Sequence, residues 1–110
     1  MWSPRPDIGY KERRRFTDRL IEEHREEIRQ LALLRGARRV RVFGSRARGD
    51  AGPESDVDIL LDLENGRSAL ALGGLLMDLQ DLLGKKVDVV TPAALHPRIR
   101  DRILVQAIDI

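Results

Sequence analysis

The sequence predicts an α/β fold, a small mixed β-sheet of three or so strands flanked by helices in the order α-β-α-β-α-β-α. Residues 39–43 and 55–63 alternate in polarity with the two-residue period of β-strands. Residues 68–83 instead carry leucines at helical spacing, and a third strand-like segment follows at 87–91. The short link between the first two strands predicts an antiparallel pair, and the helical crossover makes the second and third strands parallel.

Length and composition limit the classes of protein. The 110 residues suit one domain, which we expect to span residues 16–110 behind a tail of residues 1–15. The chain has no cysteine for a disulfide or thiolate metal site, and its two histidines are too far apart in sequence to suggest zinc. No apolar run approaches the roughly 20 residues of a membrane span, and no signal peptide is evident, so we expect a cytoplasmic protein.

The first helix should begin with Thr17 as its N-cap, preceded by the apolar Phe16, and should end before Gly36. Its glutamates are expected to face solvent. Its apolar positions at helical spacing are Leu20, Ile28, Leu31 and Leu34.

The second long helix is expected to follow a turn at Asn65-Gly66 and to end at Gly84. Its internal pair Gly73-Gly74 predicts close packing on the sheet, because glycine otherwise weakens a helix. A last amphipathic helix, 97–107, begins at Pro97. The buried stripe of the second long helix comprises Leu72, Leu75, Leu76, Leu79, Leu82 and Leu83.

The residues that carry chemistry lie where the first strand ends and the second begins. Gly44-Ser45 follows the first strand, and Asp56 and Asp58 open the second. Antiparallel pairing is expected to bring Gly44-Ser45 beside Asp56. Two residues apart on a strand, the carboxylates share one face, with backbones about 6–7 Å apart. Such a pair can bind the two Mg²⁺ ions of a phosphoryl-transfer site, which lie about 3.5–4 Å apart.

A third carboxylate is expected from the next strand. Asp88 alternates with valines as Asp58 does and should lie level with it in a parallel pair. Asp62 shares the face of Asp58, but about 13 Å further along the strand it is too far to share the metals. Asp78 and Asp81 belong to the crossover helix, where we expect them to be solvated.

The Gly44-Ser45 turn is expected to bind phosphate, although it lacks the GK[ST] of a P-loop. Gly44 lets phosphate approach the backbone, and Ser45 offers a hydroxyl and a backbone N–H at the start of a short helix. Arg46 is a candidate ligand of the leaving pyrophosphate, whereas Arg48 suits a structural or partner-facing role. A Gly-Ser turn or an Asp-x-Asp strand end alone means little, but together they favour a nucleotide-metal site.

The chain combines a Gly-Ser turn with an Asp-x-Asp about ten residues later and a further Asp after that. Over residues 40–90 this pattern resembles that of the DNA polymerase β-type nucleotidyltransferase superfamily. The small size is similar to that of minimal nucleotidyltransferases, commonly the antitoxins of HEPN-domain ribonuclease toxins. The resemblance implies a polymerase β palm-like fold and transfer of AMP from ATP to a hydroxyl, in antitoxins a tyrosine of the toxin. By the same resemblance, Gly44 and Ser45 hold the triphosphate, Asp56 and Asp58 bind the metals, and Asp88 completes the metal site and assists deprotonation of the acceptor.

Two other classes of function remain open. One is an antitoxin that acts by binding alone, although buried acids are costly to keep without cations. The other is a small-molecule nucleotidyltransferase, which usually carries a second domain for its acceptor. An RNA-binding module would explain the arginines of residues 35–48 but not the carboxylates, so we do not expect direct nucleic-acid binding. Assembly as a homo-oligomer or hetero-oligomer is left open.

Overall fold

The computed structural model describes residues 18–64 and 69–110. The predicted tail, the cap at Phe16 and Thr17 and the turn at Asn65-Gly66 lie outside these ranges. None of the described helices is long and apolar enough to cross a membrane. The elements are helix α1 (Arg19–Glu23), helix α2 (Arg25–Leu34), strand β1 (Ala37–Phe43), helix α3 (Ser45–Arg48), strand β2 (Val57–Leu63), helix α4 (Ala69–Leu83), strand β3 (Val87–Val90), a 3₁₀ turn (Pro92–Ala94), helix α5 (Pro97–Gln106) and strand β4 (Ile108–Asp109).

The sheet has four strands in the order β3-β2-β1-β4. The pairing of β1 with β2 is antiparallel and that of β2 with β3 is parallel, so the predicted α/β fold and both orientations are confirmed. The sequence did not predict β4, which pairs antiparallel with β1. Its two residues are too few to show a strand period.

The hydrophobic core lies between one face of the sheet and the helices. Helix α2 lies against β1, helix α4 lies against β3, and the two helices contact each other. Burial of each large aliphatic side chain contributes roughly 1.5–3 kcal/mol to this packing. The residues fully buried in it are Ile21, Ile28, Val42, Val57, Ile59, Leu61, Leu75 and Leu79.

The first helical segment differs from its prediction. The described N-cap of α1 is Asp18, whose Oδ1 accepts a hydrogen bond from the backbone N–H of Ile21 at 3.1 Å. Leu34, predicted to continue the apolar spacing, is 77% exposed. Six residues after the buried Ile28, it lies about 240° further around the helix, away from the core.

The prediction that the Gly73-Gly74 pair of α4 packs closely on the sheet was also wrong. No atom of the described residues lies near the place where a side chain on Gly73 would be, and Gly74 faces the guanidinium of Arg35 at the end of α2 rather than the sheet. Arg35 donates to the Asp78 carboxylate, with Nη2 at 2.9 Å and Nε at 3.0 Å. Asp78 is therefore paired rather than simply solvated, whereas Asp81 is exposed as expected.

Candidate functional site

The turn after β1 adopts a conformation that requires glycine. Gly44 has φ +77° and ψ −153°, a region of backbone space essentially limited to glycine. Helix α3 starts immediately afterwards, as expected, and the carbonyl of Gly44 accepts from the N–H groups of Ala47 and Arg48, both at 3.0 Å. The hydroxyl and backbone N–H of Ser45 make no hydrogen bond to another described residue. These two donors are therefore available to a ligand.

The Asp58 carboxylate lies directly against Gly44. A Cβ atom built on residue 44 would collide with this carboxylate. The contact follows from the antiparallel register, in which Phe43 pairs with Asp58 and so leaves Gly44 beside it. The structure thus brings the Gly-Ser turn and the Asp-x-Asp motif together, and glycine makes their close approach possible.

The predicted third carboxylate lies level with the second. In the parallel pairing of β2 and β3, Asp58 is the register partner of Asp88. Partial burial raises the pKa of Asp58, the negative charges of Asp88 and Asp56 raise it further, and only Arg48 opposes them. The three aspartates therefore form one electrostatic group, and a cation placed among them would relieve the cost of charging Asp58.

The three side chains differ in exposure and in partners. Asp58 is half-buried, whereas Asp56 and Asp88 are exposed, and the Asp56 carboxylate lies 4.0 Å from Lys86 Nζ. Within the two described ranges, no three carboxylate or imidazole groups are gathered closely enough to enclose a metal ion by themselves. Mg²⁺ at nucleotide sites needs only one or two carboxylates, because phosphate and water oxygens complete its shell. This donor set fits a cation that arrives with a nucleotide.

Arg46 does not occupy the place predicted for a phosphate ligand. Its side chain is 5% exposed, and Nη1 lies 2.7 Å from Asp18 Oδ2. Nη2 and Nε donate to the carbonyl of Ser55 at 2.7 and 3.3 Å. These three nitrogens of Arg46 are therefore engaged within the protein and do not point to a phosphate. The bonds connect α3 to the start of α1 and to the residue before Asp56.

The positive charge of Arg48, rather than that of Arg46, lowers the pKa of Asp58. Its side chain is exposed, with Nε 3.3 Å from Asp50 Oδ2. Asp62 does not join the three aspartates. Its carboxylate lies 3.3 Å from Arg41, in agreement with the prediction that Asp62 is too far along β2 to share a metal with Asp58.

Sequence reasoning missed one residue at the turn. Gln106, the last residue of α5, accepts the backbone N–H of Gly44 at its Oε1 at 3.0 Å. No sequence signal could have identified it, because a single glutamine 62 residues from its partner has no motif and no period.

A family model for the nucleotidyltransferase domain matches residues 21–110. A protein of Methanocaldococcus jannaschii named "Putative protein adenylyltransferase" is 41% identical over 90 residues, which are 82% of this chain and 97% of the relative. A solved "putative minimal nucleotidyltransferase" superposes with a TM-score of 0.74 at 43% identity, covering 82% of this chain and 92% of that one.

A crystal structure of a toxin-antitoxin with AMP-PNP has a TM-score of 0.66 at 21% identity, over 76% of this chain and 69% of that chain. At that identity the likeness shows the fold alone. The family match extends over the strands, the glycine turn and all three aspartates. The chain therefore belongs to the nucleotidyltransferase domain family.

Proposed function

We propose that this chain transfers AMP from Mg-ATP to a protein hydroxyl, a tyrosine of a HEPN ribonuclease toxin, and so acts as an antitoxin. The observation that carries the proposal is the position of Asp58, in contact with Gly44 and level with Asp88. The adenylyltransferase name of the relative supports protein as the acceptor. The AMP-PNP in the toxin-antitoxin structure supports an adenine nucleotide and a toxin partner.

The triphosphate is expected to bind at the turn between β1 and α3. No described residue engages the N–H or the hydroxyl of Ser45, so both can donate to phosphate oxygens, and Gly44 has no side chain to block their approach. Arg48 lies close enough to act on Asp58 and is exposed, so it can neutralise the negative charge of the leaving pyrophosphate.

Asp56, Asp58 and Asp88 would hold two Mg²⁺ ions. Bound there, the metal ions would stabilise charge on the attacking and leaving oxygens of an in-line displacement. Burial first, and the charges of Asp88 and Asp56 second, raise the pKa of Asp58, so the site would gain stability when cations enter it.

In the reaction, the acceptor oxygen forms a bond to the α-phosphorus as the bond from that phosphorus to the oxygen bridging to the β-phosphate breaks. Pyrophosphate leaves, and the hydroxyl proton passes to a carboxylate. Asp88 suits this role because it is exposed and level with Asp58. The exposure of Asp56 and Asp88 also lets a tyrosine on another protein's surface reach the site.

Intact-mass spectrometry tests the proposal. A HEPN toxin is incubated with this protein, ATP and Mg²⁺, and we expect its mass to increase by one or more AMP units. Asp58→Asn should abolish the increase, whereas Asp81→Asn, an exposed aspartate of α4, should not.

The two alternative functions predict different results in this assay. Neutralisation of the toxin by the Asp58→Asn variant with no mass increase would support an antitoxin that acts by binding alone. Transfer of AMP to an aminoglycoside but not to the toxin would support a small-molecule nucleotidyltransferase.

A further inference from the structure

We infer that Gln106 is a positioning residue that holds the Gly44-Ser45 turn in the conformation that receives the triphosphate. The inference rests on the proposed function for the identity of the ligand. Its structural basis is the hydrogen bond from the Gly44 N–H to Gln106 Oε1, 3.0 Å long and partly buried.

The register of the last strand accounts for this bond. Val42 pairs with Ile108 and Arg41 with Asp109 in the antiparallel pairing of β1 and β4. Continued by two residues, the same register places Gln106 opposite Gly44. Gln106 still belongs to helix α5, so its side-chain oxygen replaces the strand carbonyl that would otherwise accept the Gly44 N–H.

Gln106 is itself held from both sides. After it, the N–H of Ile110 donates to the carbonyl of Val40 at 3.1 Å. Before it, Arg100 of α5 donates to the carbonyls of Pro92 and Leu95, both at 3.0 Å, in the segment that follows β3. Because the backbone is fixed on both sides of Gln106, the Gln106 side chain can determine the direction of the Gly44 N–H.

Gly44 needs such a partner because glycine has the largest conformational freedom of any residue. The Asp58 carboxylate excludes any larger residue at position 44, so the chain cannot rigidify the turn by substitution there. The bond to Gln106 restricts the turn instead. It also occupies the Gly44 N–H, which leaves the N–H and hydroxyl of Ser45 as the donors of this turn for phosphate.

The test compares Gln106→Leu, which removes the acceptor, with Gln106→Glu, which keeps one. Gln30→Leu, at an exposed position of α2, controls for loss of an amide elsewhere. Hydrogen exchange of the Gly44 amide, followed by NMR without nucleotide, should accelerate about tenfold or more in Gln106→Leu. In Gln106→Glu and Gln30→Leu, the exchange rate of the Gly44 amide should stay near that of the wild type. If Gln106→Leu does not fold, Gln106→Met, of similar length, replaces it.

Calorimetric titration with Mg-ATP gives the second readout. We expect Gln106→Leu to weaken the affinity about tenfold and Gln30→Leu to leave it unchanged. An unchanged Gly44 exchange rate, or faster exchange with unchanged Mg-ATP affinity, would overturn the positioning role. If the wild-type protein binds no Mg-ATP, the proposed function is overturned. The role of Gln106 in holding the turn is then supported or overturned by the Gly44 exchange rates alone.

Discussion

The carboxylate of Asp58 fills the space that a side chain on Gly44 would need. One contact thus joins the phosphate-binding turn proposed here to the middle carboxylate of the proposed metal site. Any change that moves one of the two residues is expected to move the other.

Gly44→Ala is expected to destabilise the fold and to abolish Mg-ATP binding. The backbone conformation of Gly44 alone should cost a side-chain-bearing residue about 1–3 kcal/mol, and the added Cβ would also displace Asp58. Urea unfolding and calorimetric titration measure the two effects. Gly52→Ala is the matched control, because no atom of residues 18–64 or 69–110 lies near the place where its methyl group would be and its φ is not positive. Equal stability of the two variants would contradict the prediction.

Asp58→Asn is expected to stabilise the metal-free protein while abolishing AMP transfer, because a carboxylate that would hold the metal ions is lost. Folding raises the pKa of Asp58, so the folded protein binds a proton more tightly than the unfolded chain. Stability is therefore lost as the pH rises from the ordinary carboxyl pKa through the raised one.

Thermal unfolding without metal, followed from about pH 3 to neutral pH, checks this second prediction, because the series begins below the ordinary carboxyl pKa. The melting temperature of Asp58→Asn should exceed that of the wild type at neutral pH, and the gap should narrow at acid pH. Mg-ATP should then stabilise the wild type but not the variant. A variant that is less stable than the wild type at neutral pH would show that the charge of Asp58 is not a cost to the fold.

Arg46→Met and Asp18→Asn should each cost about 3–5 kcal/mol, because each change leaves one buried charge without its partner. The double variant should lose less than the sum of the two, which a double-mutant cycle in urea would measure. If Arg46 were instead chiefly a phosphate ligand, Arg46→Met would keep its stability and lose only affinity for Mg-ATP.

The two adjacent glycines of α4 are expected to respond differently to alanine. Gly73→Ala should stabilise the protein by up to about 1 kcal/mol, because alanine favours the helix and no described atom lies near its new methyl group. Gly74→Ala should stabilise it less, because its methyl would require the Arg35 guanidinium to shift and would weaken the pair of Arg35 with Asp78. Differential scanning calorimetry of the two variants measures the difference, and an equal or larger gain from Gly74→Ala would refute the distinction.

Local sequence patterns sufficed to predict the architecture around the site. The alternation that put Asp58 and Asp88 on one face of their strands is a short-range property, since side chains alternate on any β-strand. Strand orientation followed from the lengths of the connections, and these too can be read along the chain. Pairing two consecutive strands placed the Gly44-Ser45 turn beside the start of β2, although the expected neighbour was Asp56 and the residue in contact with Gly44 is Asp58.

Contacts between residues far apart in the sequence could not be predicted in this way. Arg46 is buried because Asp18, 28 residues earlier, lies beside it, and a pattern of charges does not show which arginine finds a buried partner. Gln106 meets Gly44 only because the two-residue strand β4 sets the register at the end of the chain. Polarity and periodicity indicate which face a residue takes on its own element, whereas its partner on another element is decided by how the elements pack together.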